Sequence, residues 1–314
     1  MTPIRRTEGG ERVTENQQDD PVASSWKKAF RALLLLILLG SAITLGSSFF
    51  LGKSDKLISS DGNAYYSWLP TLLLDHDVDF DNNFRALYAP DPIPDHRTRT
   101  SAGLLVNKCP IGMAILELPG FAVGHVLALL TSRPADGVSV PYQVSVAAWL
   151  VLLYLFSFHL FFLALLRFGV SPAASFLFSA MALVGTNLLH YVAKEPAMSH
   201  AANVALINLL VFAAASGRKS MAHDLVCGLL LGLLILTRNS TVAVAPWLVY
   251  LLLRNGPAPG RVFALLAGPV LLFALNLFCF YLLWGHLVIR TYPTEGFTGG
   301  LTGMLGALFS ARHG

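Results

Sequence analysis

The chain has 314 residues, 54% of them hydrophobic and only 13% charged, with a mean hydropathy of +0.60. That excludes an ordinary water-soluble domain, because the apolar residues fall in runs near bilayer-spanning length rather than at amphipathic spacing. The ten-residue alternation of a β-barrel is absent, and the modest basic excess, 22 Lys and Arg against 18 Asp and Glu, suits membrane-helix ends and implies no nucleic-acid partner.

Residues 1–28 are polar and mixed in charge and read as a disordered cytoplasmic tail. Lys27, Lys28 and Arg31 lead into the first apolar run, 32–51, and predict a cytoplasmic N-terminus. A polar stretch from about 52 to 141 follows. It holds Asp61-Gly-Asn-Ala-Tyr-Tyr-Ser-Trp68, the alternating Asp75, Asp77, Asp79 and Asp81, and a proline-rich segment at 89–95 that predicts extended chain. The run 111–130 is long enough to span but is interrupted by Gly112, Glu117, Pro119, Gly120, Gly124 and His125. Cleaner runs lie at about 143–166, 173–189, 198–215, 225–236, 242–253 and 262–284, for about seven spans in all. Cys109, Cys227 and Cys279 are too widely spaced for a metal motif or a disulfide framework and read as packing residues.

Parity decides whether 111–130 crosses. If it does not, the connectors carrying Arg167, Arg218-Lys219, and Arg254 with Arg261 all lie on the cytoplasmic side, as the positive-inside bias requires. If it does, all of them flip outward. The segment is therefore expected to be an interfacial or re-entrant helix. The first loop, Lys194-Glu195, Arg238-Asn-Ser and the segment from His286 onward then share the outer face, which makes an outward-facing polar site.

Several residues have a bland reading of their own. Asp61 precedes a helix predicted at 63–74, where Asp is favoured as N-cap. The run Asp75–Asp81 is no calcium loop, since Phe80 and Ala86 stand where Gly and Glu are needed, and no βαβ pattern supports a nucleotide-sugar site. It reads as a solvated acidic strand, with a divalent-ion site as the lesser alternative. Tyr65, Tyr66 and Trp68 suit either sugar stacking or an interfacial aromatic belt. Arg238 suits either an interface anchor or a phosphate clamp. His159 is expected to hydrogen-bond a neighbouring helix.

The acidic loop, with Lys108-Cys-Pro-Ile-Gly-Met-Ala-Ile-Leu-Glu-Leu-Pro-Gly-Phe121, Lys194-Glu-Pro-Ala-Met-Ser-His-Ala201 and Gly228-Leu-Leu-Leu-Gly232 running on to Thr237-Arg-Asn239, resembles bacterial GT-C-fold membrane glycosyltransferase-like proteins. These are relatives of the protein O-mannosyltransferases and the aminoarabinose transferase. The resemblance runs from about residue 30 to the end. It implies an all-α integral membrane protein, a GT-C-like multi-span helical bundle at 29–290 with a long outer first loop bearing interfacial helices. It also implies a cytoplasmic (inner or plasma) membrane location in the cell envelope, and transfer of a sugar from a polyprenyl phosphate to a hydroxyl on a lipid or glycan acceptor. Asp61 matches the loop carboxylate of that group and is the expected general base, with Glu195 as a second catalytic carboxylate. Lys108 and Arg238 are expected to hold phosphate, and Tyr65, Tyr66 and His200 to line the substrate site. No cofactor or metal ligand is assigned, because a fixed cation can serve. Residues 291–314 read as an outer segment that stops where relatives continue. A transporter or lipid flippase, or a truncated non-catalytic subunit, is the alternative.

Overall fold

The computed structural model describes residues 21–50, 56–89, 93, 99–254, 256 and 258–289. The expectations for residues 1–20, for most of the proline-rich segment and for 291–314 fall outside them. Among the described residues twelve α-helices follow in chain order: α1 (Pro21–Phe50), α2 (Asp61–Tyr66), α3 (Trp68–Pro70), α4 (Asp81–Tyr88), α5 (Gly112–Leu130), α6 (Val140–Arg167), α7 (Pro172–Val184), α8 (Leu188–Ala193), α9 (Ser199–Ala215), α10 (Met221–Thr237), α11 (Ala245–Leu253) and α12 (Pro259–Trp284). A π-helical turn spans Thr71–Asp75 and a 3₁₀ turn spans Asn239–Ala243. The described residues contain no β-strand. The fold is all-α, and among the described residues four helices (α1, α5, α6 and α12) are long and apolar enough to cross a membrane.

The sequence predicts about seven spans; among the described residues four helices have spanning length outright and three further apolar helices are shorter. Helices α7, α9 and α10 are apolar but have only 13, 17 and 17 residues. At 1.5 Å per residue, a 17-residue helix rises about 25 Å, at the lower limit for a hydrocarbon core of about 30 Å. Helix α1 also starts earlier than the apolar run. Pro21 is suited to a first helical position, so residues 21–28 are helix rather than tail, and the Trp26 ring lies 5.1 Å from that of Phe176.

The two ends of the bundle differ in charge. At one end Arg167 sits over the Phe212 ring at 4.4 Å and Arg254 over Phe168 at 5.0 Å. Arg218, Lys219 and Arg261 line one small hollow there. Phe30 stacks on Phe162 at 4.9 Å, which brings the basic start of α1 to that end too. The connectors singled out for their charge therefore gather in space.

Helix α5 belongs to the opposite half. It runs antiparallel to the first half of α6: Trp149 Nε1 donates to the Leu116 carbonyl at 2.8 Å, Gly120 lies on Val146 and Gly124 on Tyr142. A Cβ on either glycine would approach the α6 backbone to 2.7 or 2.6 Å. These glycines, read from the sequence as interruptions, are the small residues that let two apolar helices meet backbone to backbone. Pro119 is accommodated within a continuous helix. The start of α5 abuts Leu236 and Thr237, where α10 ends, so the helix leads away from the basic end. Glu117 faces protein: it is fully buried, and neither carboxylate oxygen is bonded among the described residues. His159 Nδ1 is buried without a hydrogen-bond partner among the described residues.

The polar first loop is held over this half by aromatics. Tyr66, Trp68, Phe80 and Phe84 are completely buried, and each such side chain contributes about 1.5–3 kcal/mol of apolar burial. Trp68 donates from Nε1 to the Cys109 carbonyl at 2.9 Å and meets Phe80 edge-on at 4.8 Å. Gln143 Oε1 accepts from the backbone N–H groups of Leu57 and Ile58, which ties the loop's entry to the start of α6.

Candidate functional site

Asp61 opens α2, a position that the residues on both sides define. The preceding Ser60 has φ 56° and ψ −133°, a conformation that costs an L residue on the order of 1–3 kcal/mol. Ser60 is thus the N-cap, without a side-chain cap bond, and Asp61 is the first helical residue rather than the N-cap expected from the sequence. Its carboxylate is solvent-exposed and forms no hydrogen bond among the described residues. Gly62 then packs on Ala197, where a Cβ would lie 3.1 Å from the alanine Cβ. That approach sets Asp61 against the Lys194–Ala197 turn. Tyr154 of α6 anchors the same turn from below, donating to the Pro196 carbonyl at 2.6 Å.

The turn carries Glu195, half-buried, with an oxygen 3.6 Å from His190 Nε2. One helical turn on, the His200 ring stacks on Tyr191 with centroids 4.2 Å apart. Arg238 Nη1 donates to His200 Nδ1 at 2.8 Å. An arginine only donates, so the ring accepts here as a neutral imidazole, with the same Nη1 3.4 Å from Nε2. The charges of Asp61, Glu195 and Arg238 all reach His200. Four of the residues chosen from the sequence therefore converge, from α2, the 194–198 turn, α9 and the end of α10.

Arg238 is positioned from behind. Thr237, the last residue of α10, donates from its hydroxyl to Asn203 Oδ1 in the first turn of α9, and the backbone at Arg238 then turns extended. The guanidinium is exposed and forms no ion pair among the described residues. Tyr65 completes this side: its hydroxyl lies 3.5 Å from Ser199 Oγ, the outer limit of a hydrogen bond. Burial pushes its phenol up to about 12, helped by the neighbouring Cys109 thiol. It therefore remains a protonated donor at any physiological pH.

One expectation shifts. Tyr66 is next to Tyr65 in sequence but about 100° around the helix, and it points into the core, where its hydroxyl donates to the Gly137 carbonyl. A fully buried ring has no face for a ligand, so Tyr66 is removed from the substrate-binding set. Lys108 lies half-buried in the 107–110 turn. Asn107 clamps that turn to α2, its Nδ2 donating to the Ala64 carbonyl and its Oδ1 accepting from Cys109 N.

The acidic run is a turn leading into α4, not a strand, and its carboxylates have local work. Asp75 accepts from Asn82 and Asn83 at 3.0 and 2.6 Å. Asp77 accepts from Asp79 N, and Asp79 from Asp81 N and Leu105 N. Asp81 pairs with Arg85 and Arg99, and the hydrogen bond from Arg85, above all, holds its carboxyl below the usual carboxylate range. Among the described residues no group of His, Cys, Asp and Glu is arranged to hold a metal ion.

Sequence reasoning missed His190 and Tyr191. Their signal was a polar aromatic pair at the end of an apolar run, a few residues before Lys194-Glu195. Comparison of the chain with protein-family models, with curated proteins and with solved structures finds no match.

Proposed function

We propose that the protein is a membrane glycosyltransferase that moves a sugar from a polyprenyl-phosphate donor to a hydroxyl on a lipid or glycan acceptor. One observation carries this reading: Arg238, without an ion pair among the described residues, hydrogen-bonds His200, and the charge of Asp61, a carboxylate without a hydrogen bond among them, acts on the same imidazole. A base must keep a free lone pair to take a proton, and a phosphate site needs a cation not already neutralised.

In this mechanism the acceptor hydroxyl gives its proton to Asp61 as its oxygen bonds to the anomeric carbon. The bond from that carbon to the donor phosphate breaks, and the phosphate leaves with the electron pair. Arg238 meets the growing charge, with Lys108 as a second cation from the 107–110 turn. Glu195 accepts a hydrogen bond from the acceptor, and His200 donates one from its ring N–H. Tyr65 donates its phenolic proton to a sugar oxygen. The basic end faces the cytoplasm by the positive-inside rule. The site then lies on the outer face, with α5 in its half of the bundle as the interfacial helix of a GT-C-like fold.

The test is envelope-lipid analysis of a deletion strain carrying either the wild-type chain or Asp61→Asn. The expected result is a missing sugar and an accumulated lipid-linked donor in both the empty and the Asp61→Asn strains, with normal membrane levels of the variant. Full transfer by Asp61→Asn would remove the base assignment. An unchanged total of lipid-linked sugar, displaced between leaflets, would indicate a flippase instead.

A further inference from the structure

At the basic end, α6 and α11 stand on either side of α9 and leave a groove of about 630 Å³ between them. Ile207 and Val211 of α9 form its floor, Phe161 and Leu165 one wall, and Trp247 and Leu251 the other. Arg167 and Arg254 close its mouth, and no acidic side chain among the described residues lines it. Both arginines are exposed. Each rests on an aromatic face, Phe212 and Phe168 respectively, rather than on a carboxylate among the described residues. The ring contacts fix the stems of these side chains and leave their guanidinium donors unneutralised.

The groove therefore pairs an apolar trough with two cations at one end. From Arg254 to Trp247, α11 rises about 10 Å at 1.5 Å per residue, the depth that the upper part of an acyl chain occupies beneath a headgroup. Trp247, half exposed, lies along this wall. A free phosphate would find the two arginines but leave the trough empty, and a neutral lipid would fill the trough but leave the arginines unmatched. We infer that this groove is a binding site for an anionic phospholipid of the adjoining leaflet, its phosphate held by Arg167 and Arg254 and its chain laid between α6 and α11. The site is at the other end of the bundle from Asp61 and Arg238 and is independent of the reaction proposed there.

The full chain is purified in neutral detergent and placed in nanodiscs of phosphatidylcholine alone or with phosphatidylglycerol. Thermal unfolding and native mass spectrometry are then read. The expected result is a higher melting temperature with phosphatidylglycerol, and at least a tenfold preference for retaining it over phosphatidylcholine. Arg167→Gln/Arg254→Gln should lose both effects, and Arg167→Lys/Arg254→Lys should keep the preference, since a point charge still attracts phosphate. Should the Gln pair fail to fold, Leu251→Trp fills the trough while leaving both cations, and it should lose retention as well. Equal retention of the two lipids overturns the inference. So does a preference that survives in the Gln pair or in Leu251→Trp, or a full stabilising effect from glycerol phosphate alone.

Discussion

Arg261 and Arg238 lie near opposite ends of the bundle and in opposite chemical states. Arg261 is bound on every side: Nε and Nη2 meet the Asp224 carboxylate at 2.6 and 3.0 Å, Nη1 reaches the Gly256 carbonyl, and Nη2 the Leu252 carbonyl. Asp224 is fully buried. Arg238, just beyond the other end of the same helix α10, is exposed, and among the described residues its guanidinium hydrogen-bonds only His200. The first arrangement staples α10 to α12. The second keeps a cation available. In a chain this poor in charge, the role of an arginine follows from its partners, because a desolvated charge must be neutralised where it stands, whereas one at an open boundary stays free to bind.

The comparison fails first if Arg238 is merely an anchor. Arg238→Gln should lower transfer roughly 10²–10³-fold, the effect of removing one donor at a developing negative charge, with little change in melting temperature. Asp224→Asn should do the reverse, costing about 3–5 kcal/mol of stability by leaving the largely desolvated Arg261 without its counter-charge, measurable as early unfolding in detergent. Replacing both partners together, as Asp224→Leu/Arg261→Met, should recover most of that loss. If Asp224→Asn instead abolished transfer at normal stability, the division between a structural and a functional end would be wrong.

Smaller effects refine the boundary between the halves. Gly120→Val should cost about 1–3 kcal/mol, because its side chain must displace the α6 backbone at Val146, and thermal unfolding reports it. Asp81 lies in the same half as the site yet acts structurally. Its folded carboxyl is held low, so its pairing with Arg85 and Arg99 stabilises the loop above the ordinary carboxylate range and is lost as pH falls below about 4. The pair is exposed and screened, so the change is small. Asp81→Asn should flatten the acid limb of the unfolding curve and leave transfer at neutral pH intact.

The helices themselves were largely legible in the sequence, since apolar runs and their basic connectors state local preferences. The acidic run shows where that reading stops. Asp75, Asp77, Asp79 and Asp81 looked like one cluster, yet each accepts from nearby amides or pairs with an arginine. Residues 65 and 66 show it again, since composition offers two equivalent tyrosines and helix phase sends one to the site and the other to the core. Gly120 and Gly124 read as breaks because a close helix crossing leaves no mark in a one-dimensional pattern.

By itself, then, the sequence determined that this chain is helical and membrane-seeking, that its basic connectors fall between particular runs, and that Asp61, Glu195, His200 and Arg238 merit attention. These follow from transfer free energies and charges that each residue carries wherever it sits. The tertiary structure alone decided that four helices among the described residues have spanning length outright, that Tyr66 is core, and that Asp61, Glu195 and Arg238 come within electrostatic reach of His200. That reach depends on Gly62 against Ala197 and on Thr237 against Asn203. Those contacts join distant segments, and their geometry is fixed by how helices cross rather than by any residue's own preference.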